Sequence, residues 1–190
     1  KMGYNTTLQC IRHTLAELGV SYLDVALIHR PNNAAVEKIR TIYLDQELRL
    51  STWRALQEAR RLGLIRYAGV SNFGPSYLNE LLEAGLPMPA VNELEFNPRV
   101  KLERPEQGDL VQFCQKRGIA VIGYNSLGGT KAKRGVIESI AQKHNATATQ
   151  LLLRYSLDHD IAVVPTSGSE SHIQENLQLG HFRLSQLDIA

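Results

Sequence analysis

Helical stripes and short apolar runs alternate along nearly the whole chain, and this alternation restricts the fold more than any other feature. Leu8, Ile11, Leu15 and Leu18 fall on one helical face, with Asn5 or Thr6 as cap and Gly19 as stop. The apolar run from residue 22 to 28 reads as a strand that ends at His29-Arg30-Pro31, because proline cannot continue a central strand. After a loop to about residue 50, Trp53, Leu56, Ala59 and Leu62 form a second stripe, capped by Ser51 or Thr52 and stopped by Gly63. The pattern then predicts strands near 67–70, 90–96, 119–124 and 161–164, and helices near 76–84, 106–117, 135–143, 147–158 and 171–178.

Five strands alternating with helices at this spacing imply right-handed βαβ units and a parallel sheet. Runs such as Ala120-Val121-Ile122 and Ile161-Ala162-Val163-Val164 suit strands covered on both faces. The 190 residues, 43% hydrophobic and 21% charged, are enough for one sizeable core, and no linker divides 1–190, so a single α/β domain is expected.

Charge and composition exclude several classes of partner. A net charge of +2 is too small for a dedicated nucleic-acid surface, and no apolar run approaches the roughly 18 residues of a membrane helix. Cys10 and Cys114 form no Cys-x-x-Cys pair, which fits a reducing, cytoplasmic setting. His13, His144, His159 and His181 lack metal-ligand spacing and are expected at the surface, and Lys131, Lys133 and Arg134 read as a solvated loop. Motifs for phosphate loops, Gly-x-Gly-x-x-Gly turns, serine elbows and zinc helices are absent.

In βα proteins chemistry gathers at the carboxyl ends of strands, and here those ends are polar. In order they read His29-Arg30-Pro31, Ser71-Asn72-Phe73, Asn92-Glu93-Leu94-Glu95, Tyr124-Asn125-Ser126-Leu127-Gly128 and Pro165-Thr166-Ser167-Gly168. An imidazole, amides, carboxylates, an aromatic face and a small-residue loop make up a ligand pocket in composition.

These segments resemble the aldo-keto reductases, nicotinamide-dependent enzymes on a (β/α)8 barrel. The resemblance rests on Leu-Gly-Val-Ser-Tyr-Leu-Asp-Val-Ala-Leu-Ile-His-Arg-Pro at 18 to 31, Gly-Val-Ser-Asn-Phe at 69 to 73 and Val-Asn-Glu-Leu-Glu-Phe-Asn-Pro at 91 to 98. The ending Val-Pro-Thr-Ser at 164 to 167, with Ile-Gln-Glu-Asn at 173 to 176, completes four motifs in the family's order.

The resemblance implies reduction of aldehydes or ketones by NAD(P)H. It makes His29 the residue that donates a hydrogen bond to the substrate carbonyl oxygen. Ser71, Asn72 and Glu93 fall to the nicotinamide carboxamide, Tyr124 to stacking on its ring, and the loop from Asn125 through Leu127 to Gly129 to the pyrophosphate. Ser167, read as opening the last helix, falls to the adenosine 2′-phosphate, and Glu175 and Asn176 to the adenine.

Four departures qualify it. Thr166 and His172 replace the family's Lys and Arg at the 2′-phosphate, which leaves NADH possible beside NADPH. Glu93 stands for a Gln, and Arg30 for an aromatic, the latter compatible with an anionic substrate or with a solvated surface. No motif matches the family's catalytic Asp, Tyr and Lys, so the chain is expected to be an N-terminally truncated domain carrying the fourth to eighth strands of an incomplete barrel. The open edges of such a sheet would invite self-association. The alternative is a catalytically inactive remnant that binds nucleotide weakly or serves as an interaction module.

Overall fold

The computed structural model describes residues 3–32, 42–128 and 134–189. Along the chain run α1 (Tyr4–Leu18), β1 (Leu23–Ile28), α2 (Ile42–Arg61), β2 (Ile65–Ser71), α3 (Pro75–Glu83), β3 (Val91–Glu95) and α4 (Pro98–Glu103). They are followed by α5 (Pro105–Gln115), β4 (Ala120–Tyr124), α6 (Arg134–Lys143), α7 (Ala148–Leu157), β5 (Ile161–Val163), α8 (Glu170–Leu177) and α9 (Gln186–Ile189). They form two compact units, Lys1–Glu93 with Lys116–Ala120, and Leu94–Gln115 with Val121–Ala190. The division falls within β3, so the first three strands lie largely in one unit and the last two largely in the other.

In the first unit β1 pairs with β2 in parallel from Leu23↔Ile65 to Ile28↔Val70, and β2 pairs with β3 from Gly69↔Val91 to Ser71↔Glu93. Gly69 is required at the middle of this arrangement, since a Cβ there would lie 2.4 Å from Leu27 Cδ2 and 2.9 Å from the Val91 carbonyl oxygen. Helix α1 buries Ile11 and Leu15, and α2 buries Trp53, Leu56 and Ala59. The Trp53 indole N–H donates to the Pro87 carbonyl at 2.9 Å, which answers its one polar group. Leu62, the last residue of the predicted stripe, lies past the end of α2 and is 42% exposed.

Two predicted caps are corrected. Helix α1 starts at Tyr4 with Gly3 as its N-cap, and α2 starts at Ile42, so Ser51 and Thr52 lie inside α2. Their hydroxyls serve the neighbouring helix. Thr52 Oγ1 accepts from Gly3 N at 2.8 Å and Ser51 Oγ from Tyr4 N at 3.1 Å, so main-chain donors at the start of α1 are answered from α2.

In the second unit β4 pairs with β5 in parallel, Val121↔Ile161 to Gly123↔Val163. The predicted helix near 106–117 is α5, and a short helix that the sequence reading did not anticipate, α4, precedes it; Pro98 and Pro105 each open one of the two, and Asn97 caps α4. Helix α7 opens with a capping box of Thr147 and Gln150. Burial on β4 and β5 alternates, and Val164, just past β5, is 50% exposed, so these strands are not uniformly covered on both faces.

Candidate functional site

The first unit brings four of the predicted residues together. Ser71 is 1% exposed at the end of β2, and its hydroxyl donates to the Glu93 carbonyl at 3.1 Å. Asn72 follows with φ 62°, a left-handed conformation that asparagine tolerates better than most residues. Its main-chain N–H donates to the Glu93 carbonyl at 2.9 Å, and its side-chain amide donates to Ser71 Oγ at 3.0 Å and to the His29 carbonyl at 3.2 Å. The ends of β1, β2 and β3 are thereby tied around one asparagine, and the His29 side chain stands exposed beside them. Glu93 contributes through its backbone, with a partly buried side chain.

Asn92, quoted only as part of a motif, is fully buried and clamps the next turn. Its amide donates to the Phe73 carbonyl at 2.8 Å and its Oδ1 accepts from Phe73 N at 3.4 Å. The signal was available: Asn92 shares a two-residue period with Leu94 and Phe96, and a polar residue on such an apolar strand face needs a buried partner.

In the second unit Tyr124, partly buried, ends β4, and Asn125 turns the chain with φ 54°. The Asn125 amide donates to Glu95 Oε1 at 2.8 Å, and the Asn125 carbonyl accepts from Asn97 Nδ2 at 3.0 Å and from Gly128 N at 2.8 Å. Glu95 also accepts from Arg104, whose hydrogen bond, with that of Asn125, outweighs partial burial and holds the carboxyl below its ordinary range. A Cβ on Gly128 would come within 2.6 Å of the Asn125 amide, so the glycine permits that close turn. Leu127 stands partly exposed, and Gly129, Lys131 and Lys133 lie outside the described residues.

The segment assigned to adenosine is arranged differently from expectation. Helix α8 begins at Glu170 with Ser169 as N-cap, so Ser167 precedes the helix, and its Oγ accepts from Ser169 N at 3.1 Å. Glu175 accepts from the Thr147 hydroxyl, and its carbonyl accepts from Gln150 Nε2 at 3.2 Å, which joins α8 to the cap of α7. Asn176 Oδ1 is buried with no hydrogen-bond partner among the described residues. Thr166 and His172 are exposed.

A cleft of about 460 Å³ lies in the first unit, lined by Ile11, Ala26, Ile28 and Leu56 as well as His29 and Arg30. It reaches Leu23 at the other end of β1, so it follows the length of that strand and is not confined to the carboxyl ends. Two histidines expected at the surface are partly buried. His144 lies 3.2 Å from Asp188, while His159 packs 4.4 Å from the Tyr155 ring with Nε2 3.0 Å from Lys101 Nζ. No cluster of metal-ligating side chains occurs among the described residues, and none of the described helices is long and apolar enough to cross a membrane.

Parallel strands alternating with helices, with polar residues at the strand ends, define an α/β protein of the (β/α)8 type. The sequence profile of the Aldo/keto reductase family matches residues 1–190, and the chain belongs to that family. It is 37% identical to the glyoxal reductase of Bacillus subtilis, over 98% of this chain and 62% of the relative. It is 34% identical to the D-galacturonate reductase of Fragaria ananassa, over 96% and 59%. The aldo-keto reductase of Bombyx mori crystallised with NADP superposes with a TM-score of 0.83 at 29% identity, over 100% of this chain and 62% of that one. The chain thus spans about three fifths of the length of these relatives.

Proposed function

We propose that this chain belongs to an NADP(H)-dependent oxidoreductase that reduces aldehydes or ketones to alcohols. The observation that carries the reading is the tie around Asn72: the family's nicotinamide motif is present as Ser71-Asn72, and Asn72 in its left-handed conformation donates to the carbonyl of His29. Strained backbone of this kind persists where surrounding contacts over-determine it, and it concentrates at ligand sites.

The donor set fits the cofactor. Asn176 Oδ1 is a buried acceptor without a partner among the described residues, suited to an exocyclic amine such as that of adenine. On the family resemblance, Ser71, Asn72 and Glu93 of the first unit would serve the carboxamide; in the second unit, Tyr124 would serve the ring and Asn125, Leu127 and the close turn at Gly128 the pyrophosphate. Ser167, Glu175 and Asn176 would hold the adenosine. The bound nicotinamide supplies a hydride to the carbonyl carbon. His29 donates a ring N–H to the carbonyl oxygen, orienting it and stabilising the negative charge that develops there. The alkoxide then takes one proton to complete the alcohol.

The reading is tested by titrating NADPH and NADH into the protein by calorimetry and following NADPH oxidation with 4-nitrobenzaldehyde. Saturable NADPH binding that weakens at least about 10-fold in Asn72→Ala is expected, since a hydrogen bond in a buried site typically contributes one to a few kcal/mol. Absence of binding by either nucleotide would overturn it. Binding without carbonyl-dependent oxidation would leave only a nucleotide-binding module.

A further inference from the structure

Arg49 lies on α2, and its side chain is 3% exposed. A guanidinium keeps its charge in proteins, so burying one requires that its N–H groups be answered. Nε and Nη2 donate to the two Glu80 carboxylate oxygens on α3 at 3.0 and 2.8 Å. Nη1 donates to the Pro31 carbonyl at 3.1 Å. The guanidinium carbon lies 4.7 Å from the centroid of the Tyr77 ring, and the Tyr77 hydroxyl donates to Asn32 Oδ1 at 3.2 Å. A fork onto Glu80 is an ion pair; the third arm, onto the turn after β1, is not needed for that pair. Buried ion pairs can often be replaced by apolar residues without loss of stability, so this one points to geometry more than to stability.

We propose that Arg49 is a positioning residue for His29. The inference rests on the role proposed for His29 above. The His29 carbonyl is held by Asn72 and the Pro31 carbonyl by Arg49, so the peptide groups on either side of the Arg30-Pro31 pair are fixed. Pro31 has no N–H to offer, which leaves its carbonyl as the main-chain handle of this turn. Tyr77, stacked on Arg49, holds the next side chain, Asn32. The direction in which the His29 ring leaves the backbone follows from these holds. A lysine at 49 would keep the charge but lacks the planar fork that serves Glu80 and Pro31 together.

The test uses Arg49→Lys, Arg49→Met and the double variant Arg49→Met/Glu80→Leu, which leaves no lone carboxylate. The readouts are thermal unfolding, the proton–carbon spectrum of the His29 ring, and kcat and KM separately for NADPH-dependent reduction of 4-nitrobenzaldehyde. The double variant is expected to unfold within a few degrees of the parent, while its His29 ring signals broaden or split. Its kcat falls about 10-fold to 100-fold with KM little changed, the penalty that a misplacement near 1 Å carries. Parent-like His29 signals and kcat in the folded double variant overturn the proposal. If that variant fails to fold, Arg49→Lys is read by the same spectrum: broadened His29 signals support the proposal and parent-like ones overturn it. Should the parent protein itself not oxidise NADPH, the functional reading of His29 fails, and the ring spectrum still decides whether Arg49 orders this turn.

Discussion

Replacing Asn97 by alanine separates two jobs performed by one buried side chain. Asn97 is fully buried; its Oδ1 accepts from Val100 N at 2.9 Å, capping α4, and its Nδ2 donates to the Asn125 carbonyl at 3.0 Å. Losing an asparagine cap costs about 1 kcal/mol, and a deprived buried group adds about 1–3 kcal/mol. The Asn125 carbonyl retains its bond from Gly128 N, which keeps the second contribution at the low end. The expected total is about 2–3 kcal/mol. At roughly 2–4 °C per kcal/mol for a chain of this length, the midpoint should fall by about 4–12 °C. Asn97→Asp keeps the cap acceptor, and its charge suits a helix N-terminus, but it sets a carboxylate oxygen against the Asn125 carbonyl. Urea denaturation followed by circular dichroism should place the aspartate variant between parent and alanine. NADPH titration should show both variants weakened alike, because both release the left-handed corner at Asn125. An alanine variant within about 0.5 kcal/mol of the parent would refute the reasoning, since that is the scatter of an ordinary surface substitution.

Two further outcomes follow from other parts of the molecule. Burial chiefly, together with the Lys101 charge, holds the His159 imidazole below its ordinary value, although a hydrogen bond to the Tyr155 carbonyl and the Asp158 and Asp160 charges oppose this. The unfolded chain therefore binds the proton more readily, so stability is full above about pH 6.5 and is lost as the pH falls below it toward the depressed folded value. Urea midpoints measured between pH 5 and 7.5 should show this loss and show it reduced in His159→Gln; an unchanged slope in that variant contradicts the assignment. Thr166→Lys combined with His172→Arg should raise the NADPH-to-NADH affinity ratio at least about 10-fold, the effect of a single charge-assisted contact. An unaltered ratio by calorimetry would remove both positions from the 2′-phosphate.

Sequence and tertiary structure contributed different things, and the boundary between them is physical. Helix and strand periodicity, and stops at Gly19, Pro31 and Gly63, are local consequences of backbone sterics, so the order of elements and the polar strand ends at His29 and Ser71-Asn72 were legible before any coordinates. Motifs in register were enough to name the family, because they are contiguous in the chain. Ser51 and Thr52 were misread for the opposite reason: a hydroxyl reads as a cap for its own helix, whereas these two cap α1 from 47 and 49 residues away. Ser167 was placed at a helix start that lies a few residues further on, since Ser167, Ser169 and Ser171, at alternate positions, offer the same local signal. The second job of Asn97 and the fork of Arg49 onto Glu80 and Pro31 had no local signature. A buried donor must be answered by whatever acceptor the fold brings beside it, and for Arg49 those acceptors stand 31 and 18 residues away.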